Sequence, residues 1–566
     1  MLVDHKCEYR FVNKGFIRYM IPAVVALVFG QIAPLVDSIC IGQVLGEEAL
    51  SAISTVQPVF YLLNTIGCLF GIGAGVGISK ASGAGEKERA GKIFTLSVLS
   101  MVVVSLIITV LFLLFSDQLL VFLCATEENF GYAKEYYTVL VAGMIFYVMN
   151  FAGVHILSND NNANLAMAGG IVAGTVNMVI DVVGIFFLHQ GIWVTAFGTV
   201  FGMFCGCLVY YLHFRKPDSL CRFVSLKKIK GSVRFSELIK PGRPEAAFYL
   251  TVTIQILMIN YVLSSEIGTV GLSNSTVMDN LELVSTIVAE SIAEAIIPLA
   301  ASYFGEQNKV GLILAKRKAL FTGVILFCPL ALSLLIYPQW FIMLFAIDNQ
   351  VMLDTLPNSI RLVTAALMLS LINTVLISYM SAVEKEALAE RSQLIIGIAH
   401  IVGIYGFSRI TPVYGPWISS LVSAFVGILY LVFRCGSLEG LKRPWKHNAE
   451  MMTGGIASEE KCTSWLSEAE AVLNPEEVIH IREKMIMPLL DALPKDKPPY
   501  CEFLILRKEN MTRSIIFRYD SKTDYLKDHG IEETDEEEDE ELPFDECIRS
   551  EFNFSRRIMM QLKSEG

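Results

Sequence analysis

Long apolar runs alternate with short polar breaks over the first three quarters of the chain. A helix that crosses the hydrocarbon core of a bilayer needs about 20 predominantly apolar residues. Twelve runs qualify, at 16–42, 55–79, 93–115, 136–157, 165–188, 192–214, 245–264, 276–304, 319–337, 358–383, 392–409 and 414–434. The first is too long for a signal-peptide core and lacks a small-residue cleavage site, so it counts as a span. After Arg434 the pattern changes. Residues 475–492 predict an amphipathic helix, and 501–506, 514–519 and Phe552–Leu562 predict short strands. Glu532–Glu541 is almost wholly acidic and predicts a solvated loop.

The breaks carry a second pattern. Lys and Arg accumulate on the cytoplasmic side of a membrane, and the loops 43–54, 265–275 and 338–357 have none. The alternate loops hold Lys80, Lys87, Arg89 and Lys92, then Lys227, Lys228, Lys230, Arg234, Lys240 and Arg243, then Lys309, Lys316, Arg317 and Lys318. Only 158–164 lacks the expected bias. This places both termini in the cytoplasm and the protein in the cytoplasmic (inner) membrane, as a multi-pass component of the lipid bilayer.

Segments also recur along the chain. Gly85-Glu86, Gly91 and Ile93 return as Gly305-Glu306, Gly311 and Ile313. Asp181–Ile185 returns as His400–Ile404, and Gly191-Ile192-Trp193 as Gly415-Pro416-Trp417, at offsets of 219–224. Internal repeats of this kind are the mark of transporter folds. The predicted architecture is an all-α polytopic membrane protein: twelve transmembrane helices in two repeat-related six-helix lobes, plus a small α+β cytoplasmic domain at the C-terminus. The boundaries read as 1–216 for the N-terminal lobe, 217–244 for a cytoplasmic linker, 245–434 for the C-terminal lobe and 435–566 for the acidic domain.

Composition agrees. Of 566 residues 53% are hydrophobic and 18% charged, too apolar for an ordinary soluble enzyme. The net charge of −11 belongs to the tail: residues 447–566 carry −13 and residues 1–446 carry +2. No basic, aromatic-interleaved stretch points to nucleic acid. The 12 cysteines are scattered and read as small buried thiols rather than a metal site or disulfide framework. The glycine-rich stretch Gly67–Gly85 lacks the Gly-Lys-Ser/Thr ending of a phosphate loop and reads as a closely packed membrane helix. No nucleophile–base pair stands out, so no enzyme activity and no cofactor are expected.

A carboxylate at the centre of a membrane helix costs about 2.5–3.5 kcal/mol and so marks function by default. Asp37 lies deep in the first run, three residues after Pro34, and Asp181 lies deep in the fifth, one turn after Asn177. The Asn177 amide donates to an ionised Asp181 carboxylate and accepts from a protonated one. A satisfied polar bridge between the two helices is the alternative. Pro22 and Pro34 each remove a backbone donor, so the first helix can bend beside a cation-binding group. The eighth run carries Asp279, Glu282, Glu290 and Glu294. Asp279 and Glu282 read as mouth residues, while Glu290 and Glu294 are candidate substrate or cation contacts. His400 stands where the repeat has Asp181, and Asn373 sits on the tenth run; both join the candidate contacts.

These residues resemble the multidrug and toxic compound extrusion (MATE) family. The first span resembles its pattern at Pro22, Asp37, Ile41-Gly42 and Leu45–Leu50, the second at Gly71, Gly73, Ser79 and Gly83–Glu86. The fifth resembles its Asn-x-x-x-Asp at Asn177 and Asp181, and the sixth its segment at Gly191–Phe197. The resemblance covers about residues 10–435 and implies antiport, with a cation moving inward as amphipathic, often cationic, compounds move out. It assigns Asp37, Asn177 and Asp181 to cation coupling. Two features depart from it: Thr251, Val252 and Thr253 occupy the place of a seventh-span glutamate, and Asn373 that of a tenth-span aspartate. This weighs against a sodium site in the second lobe and favours protons. The tail, with Phe554–Ile558 near its end, is similar to a degenerate anti-sigma-type ATPase-like module without nucleotide-binding elements, which implies a domain that binds a cytoplasmic protein partner or nothing.

The expected function is therefore a cation-coupled secondary antiporter that exports small drug-like compounds or metabolites, with a proton or sodium ion as partner and the proton favoured. One rival is a membrane sensor that keeps a transporter shell and signals through the tail. Another is a lipid-linked or polysaccharide flippase, which the scarcity of Lys and Arg within the spans disfavours.

Overall fold

The computed structural model describes residues 5–83, 87–159, 163–214, 221–225, 235–434, 449–494, 498–507, 513–520, 532–533, 548–552 and 555–562. In chain order the helices are α1 (His5–Gln31), α2 (Ala33–Val44), α3 (Glu47–Gly83), α4 (Lys87–Leu114), α5 (Ser116–Phe122), α6 (Phe130–Ala142), α7 (Met144–Asn159) and α8 (Ala163–Asp181). They continue with α9 (Trp193–Phe214), α10 (Phe235–Ile239), α11 (Arg243–Gly305), α12 (Lys309–Ile336), α13 (Gln339–Met343), α14 (Gln350–Ala382), α15 (Glu386–Ser408) and α16 (Gly415–Arg434). Among the described residues, nine helices are long and apolar enough to cross a membrane, or ten when the pair α6–α7, bent by 58°, counts as one span.

Two further features reconcile that number with the twelve apolar runs. At about 1.5 Å per residue, the 63 residues of α11 are far too long for a single crossing of a core about 30 Å thick. The helix breaks at Ile267 and at Gly268, whose φ of 61° and ψ of −139° lie where a side chain is strained and glycine is not. The seventh and eighth runs are the two arms on either side. The first run falls on α1 and α2, which part at Ile32, just before Pro34 in the first turn of α2. Proline has no amide to give the preceding turn and fits at a helix start. The local sequence therefore sets the break.

The C-terminal region forms a sheet with strands β1 (Ala449–Ile456), β2 (Tyr500–Arg507), β3 (Arg513–Tyr519), β4 (Glu532–Glu533), β5 (Ile548–Phe552) and β6 (Ser555–Leu562) in the order β1-β2-β3-β6-β5-β4. The pairs are antiparallel except β4 with β5. The single strand expected at Phe552–Leu562 is a hairpin of β5 and β6. The amphipathic helix expected at 475–492 is present, with a wide π turn at Arg482–Ile486 between two α-helical pieces. β1 and the helix Glu459–Ala469 had no counterpart in the apolar pattern. The acidic run beyond Glu533, the basic linker 226–234 and Ala84–Glu86 lie outside the described residues.

Both faces of the β1–β3 part of this sheet are covered. Phe503, Ile505, Ile515 and Phe517 pack with Trp465, Ile481 and Met485 of the short helices. The alternate residues Leu504, Leu506 and Ile516 pack instead against the ends of α1, α11 and α12. Period-two alternation sends neighbours to opposite faces, which is why these strands read as unbroken apolar runs. Burial pushes the Cys462 thiol up to about 11, which keeps it protonated and unreactive.

Candidate coupling site and interlobe chamber

The break between α1 and α2 presents Asp37 to the end of α8. Asp37 is 6% exposed, Asp181 0% and Asn177 5%. The two carboxyl groups touch. Asn177 donates through Nδ2 to Asp181 Oδ2 at 2.9 Å and to Thr199 Oγ1 at 3.4 Å, and Thr199 donates to the Thr195 carbonyl at 3.1 Å. One oxygen of each aspartate, Oδ1, meets no donor among the described residues. Immediately after Asp181 the helix widens into a π turn, Val182–Phe187, a local distortion that recurs at functional sites. The three residues singled out on the first and fifth spans thus converge, although 140 positions separate the first from the second. Among the described residues no basic group is seen at the pair, and two facing carboxyl groups repel each other when both are ionised.

Between the lobes lies a cluster of aromatic and acidic side chains, called the chamber below. Tyr61 on α3 stacks toward Tyr249 on α11, with ring centres 6.3 Å apart, and Tyr249 meets Phe151 of α7 edge-on at 5.8 Å. Tyr147 of α7 packs on Phe60 at 5.5 Å and bonds Asn64. Asp279 bonds Gln57 across the interface, and its Oδ2 is buried with no donor among the described residues. Tyr61 lies within electrostatic reach of Asp279, Glu282 and Glu290. Asp279 and Glu282, read as residues of the outer mouth, are both half-buried, and Asp279 lies between Thr276 and Asn280, which bond across the lobes. Glu290 is half-buried on the chamber side, whereas Glu294 is exposed.

A seal of hydrogen bonds joins the lobes. Ser273 donates to the Glu47 carbonyl at 2.7 Å, Thr276 to the Leu50 carbonyl at 3.0 Å, and Asn280 to Ser38 Oγ at 2.9 Å. Ser54 and Asn260 exchange bonds at 2.8 and 2.6 Å. Gly42 completes it: a Cβ there would stand 2.7 Å from the Phe345 carbonyl oxygen, so only glycine lets the two backbones meet. The sealed end carries the loops that have no Lys or Arg.

The remaining candidates do not join the carboxyl pair. Asn373 donates to the Ala424 carbonyl at 2.8 Å, and His400 meets the backbone of Pro416 while its own carbonyl accepts from Ser419 at 2.7 Å. Each ties helices of the second lobe together. Pro22 lies within α1. The aromatic residues of the chamber and Gln57 escaped the sequence reading. The only trace of them is that tyrosine and amide groups cluster at the inner turns of α3 and α7.

Nine or ten apolar spans among the described residues, in two lobes hydrogen-bonded at one end, fit a multi-pass membrane transporter. The comparisons agree with that class. The family model MatE matches residues 22–183. The multidrug export protein MepA of Staphylococcus haemolyticus (strain JCSC1435) is 23% identical over 345 residues, which is 61% of this chain and 76% of that protein. MepA of Staphylococcus aureus (strain MRSA252) is 24% identical over 294 residues, 52% of this chain and 65% of that protein, a little under two thirds of its length. A solved inward-facing multidrug resistance MATE family transporter of the MOP superfamily superposes with a TM-score of 0.64 at 22% identity, covering 74% of this chain and 99% of that one. The chain resembles the MATE family in sequence and in fold, and carries an added C-terminal α+β domain. Members of that family are transporters, not enzymes.

Proposed function

We propose that the chain is a proton-coupled antiporter of the cytoplasmic membrane, with both termini in the cytoplasm, exporting amphipathic, often cationic, small molecules by alternating access. The observation that carries this is the contact between the Asp37 and Asp181 carboxyl groups inside the first lobe. A cation shared by the pair holds α2 against α8. Its departure leaves like charges in contact, which drives the helices apart. The α1–α2 break at Ile32 gives that separation a hinge, so cation exchange and helix shape are linked. One charge moving inward across 100 mV supplies about 2.3 kcal/mol, which can concentrate a neutral substrate a few tens of fold. Exchange of one proton for a monovalent cation moves no net charge and is driven by the proton concentration difference alone.

The chamber supports the substrate class. Aromatic faces attract organic cations, and the carboxyl groups of Asp279, Glu282 and Glu290 add negative potential from the opposite lobe. A cavity for phosphate-bearing lipids would present Arg and Lys instead.

The test is efflux of a lipophilic cation from proteoliposomes under an imposed proton gradient, with and without sodium, for wild type, Asp37→Asn and Asp181→Asn. Loss of gradient-driven efflux in both variants is the expected result. Unchanged efflux in both would overturn the coupling assignment, and a requirement for sodium would replace the proton.

A further inference from the structure

α1 leads into α2, which delivers Asp37 to the first lobe, yet its first turns rest on the second. Phe11, Val12 and Phe16 are buried among Ile296, Leu299 and Tyr303 of α11 and Leu504 of the C-terminal sheet. A helix attached at its two ends to bodies that rock against each other must bend between them or let go of one.

The sheet reinforces the attachment at the start of α1. Arg518 of β3 is 1% exposed and sits opposite Glu502 of β2, its partner in register. Its Nη1 donates to Glu502 at 2.9 Å, and its Nη2 donates to both carboxylate oxygens of Glu306 at 2.7 Å. Glu306 caps the end of α11 in the turn that leads to α12. The guanidinium carbon also lies 5.7 Å from the centre of the Phe11 ring and 5.3 Å from that of Tyr303. One side chain therefore touches the sheet, the second lobe and α1 together. Around it Arg10 stacks over Tyr500 at 3.9 Å, and Lys14 pairs with Asp520.

We propose that the C-terminal sheet is a clasp on α1. It pins the first turns of that helix to the second lobe while the Lys/Arg-poor end is sealed, and the clasp must open before that end can open. The composition of the contact suits a joint that parts. A wholly apolar interface of this size would stay shut, and apolar replacements of buried ion pairs are often the more stable choice. Charged groups at the centre of the contact regain water when the faces separate, so the open form is tolerated. The clasp rests on the alternating-access reading above.

Purified full-length protein carrying Lys14→Cys and Asp520→Cys, with Ser273→Cys as reporter in the seal, tests it. The rate at which a maleimide modifies Cys at position 273 reads the opening of the sealed end without any transport assay. Oxidising the 14–520 pair is expected to slow that modification at least tenfold, with recovery after reduction. Glu306→Gln, which weakens the central pair without a cross-link, is expected to speed it severalfold. A cross-linked protein modified as fast as the reduced one, or a Glu306→Gln protein modified no faster than its parent, overturns the clasp. Absence of efflux from every form, with modification rates behaving as expected, would remove the antiport reading and leave the clasp standing.

Discussion

The first lobe buries two carboxyl groups against each other, and the second ties its buried amide and hydroxyl groups to backbone carbonyls. On α2 and α8 two carboxyl groups face each other, each with one oxygen that meets no donor among the described residues. At the place that the repeat relates to Asp181 the second lobe has His400, and its buried amide and hydroxyl groups, Asn373 and Ser419, bond backbone carbonyls of neighbouring helices, although Asn373 Oδ1 and His400 Nε2 also meet no partner among the described residues. The repeat has duplicated a scaffold and not a chemistry. What the second lobe contributes to the chamber is a set of acids on α11 that have no equals in α3.

The sharpest way to break this comparison is to neutralise one side of it. Asp37→Asn or Asp181→Asn is expected to lower gradient-driven efflux by about a hundredfold, roughly 2.7 kcal/mol in the coupled step, measured in proteoliposomes. Gly42→Leu comes next. Its side chain would collide with the Phe345 carbonyl, and overpacking of this kind costs about 1–3 kcal/mol. Efflux should fall about tenfold while the carboxyl pair stays intact, and the position-273 reporter should become reactive. Asp279→Asn sharpens the comparison by separating binding from coupling. The apparent affinity for a lipophilic cation should weaken about tenfold, near 1.4 kcal/mol, with the gradient dependence unchanged. The smallest effects belong to the second lobe's own polar groups. His400→Gln should leave efflux within about twofold, and Asn373→Ala should lower thermal stability by about 1 kcal/mol for a lost hydrogen bond, with coupling retained.

The spans were legible because in lipid a backbone must satisfy its own hydrogen bonds, which leaves hydrophobic length as a nearly one-dimensional signal. Every apolar run falls on a helix, including the two that share α11. Asp37, Asn177 and Asp181 were legible for a related reason: a polar group is conspicuous where nearly everything else is apolar. The chamber was not legible. Membrane helices are apolar all round, so the 3.6-residue period that marks a buried face in water falls silent, and nothing in the sequence says that Tyr61 meets Tyr249. The tail was half legible. The apolar strands β2 and β3 announced burial on both sides, but no pattern in them names the second surface, which is the lobe itself. β1 and the helix Glu459–Ala469 are short and mixed in composition, and they form because the sheet is there to receive them.

Lys14 and Asp520 are 506 positions apart, so the amino-terminal turns of α1 emerge from the ribosome long before the strand that covers them exists. Chain order and contact order are at odds here, and such distant closures come late in folding. The start of the protein waits for its end. Losing the tail therefore strips Leu504 from Phe11, Val12 and Phe16 and leaves them held by Ile296, Leu299 and Tyr303 alone.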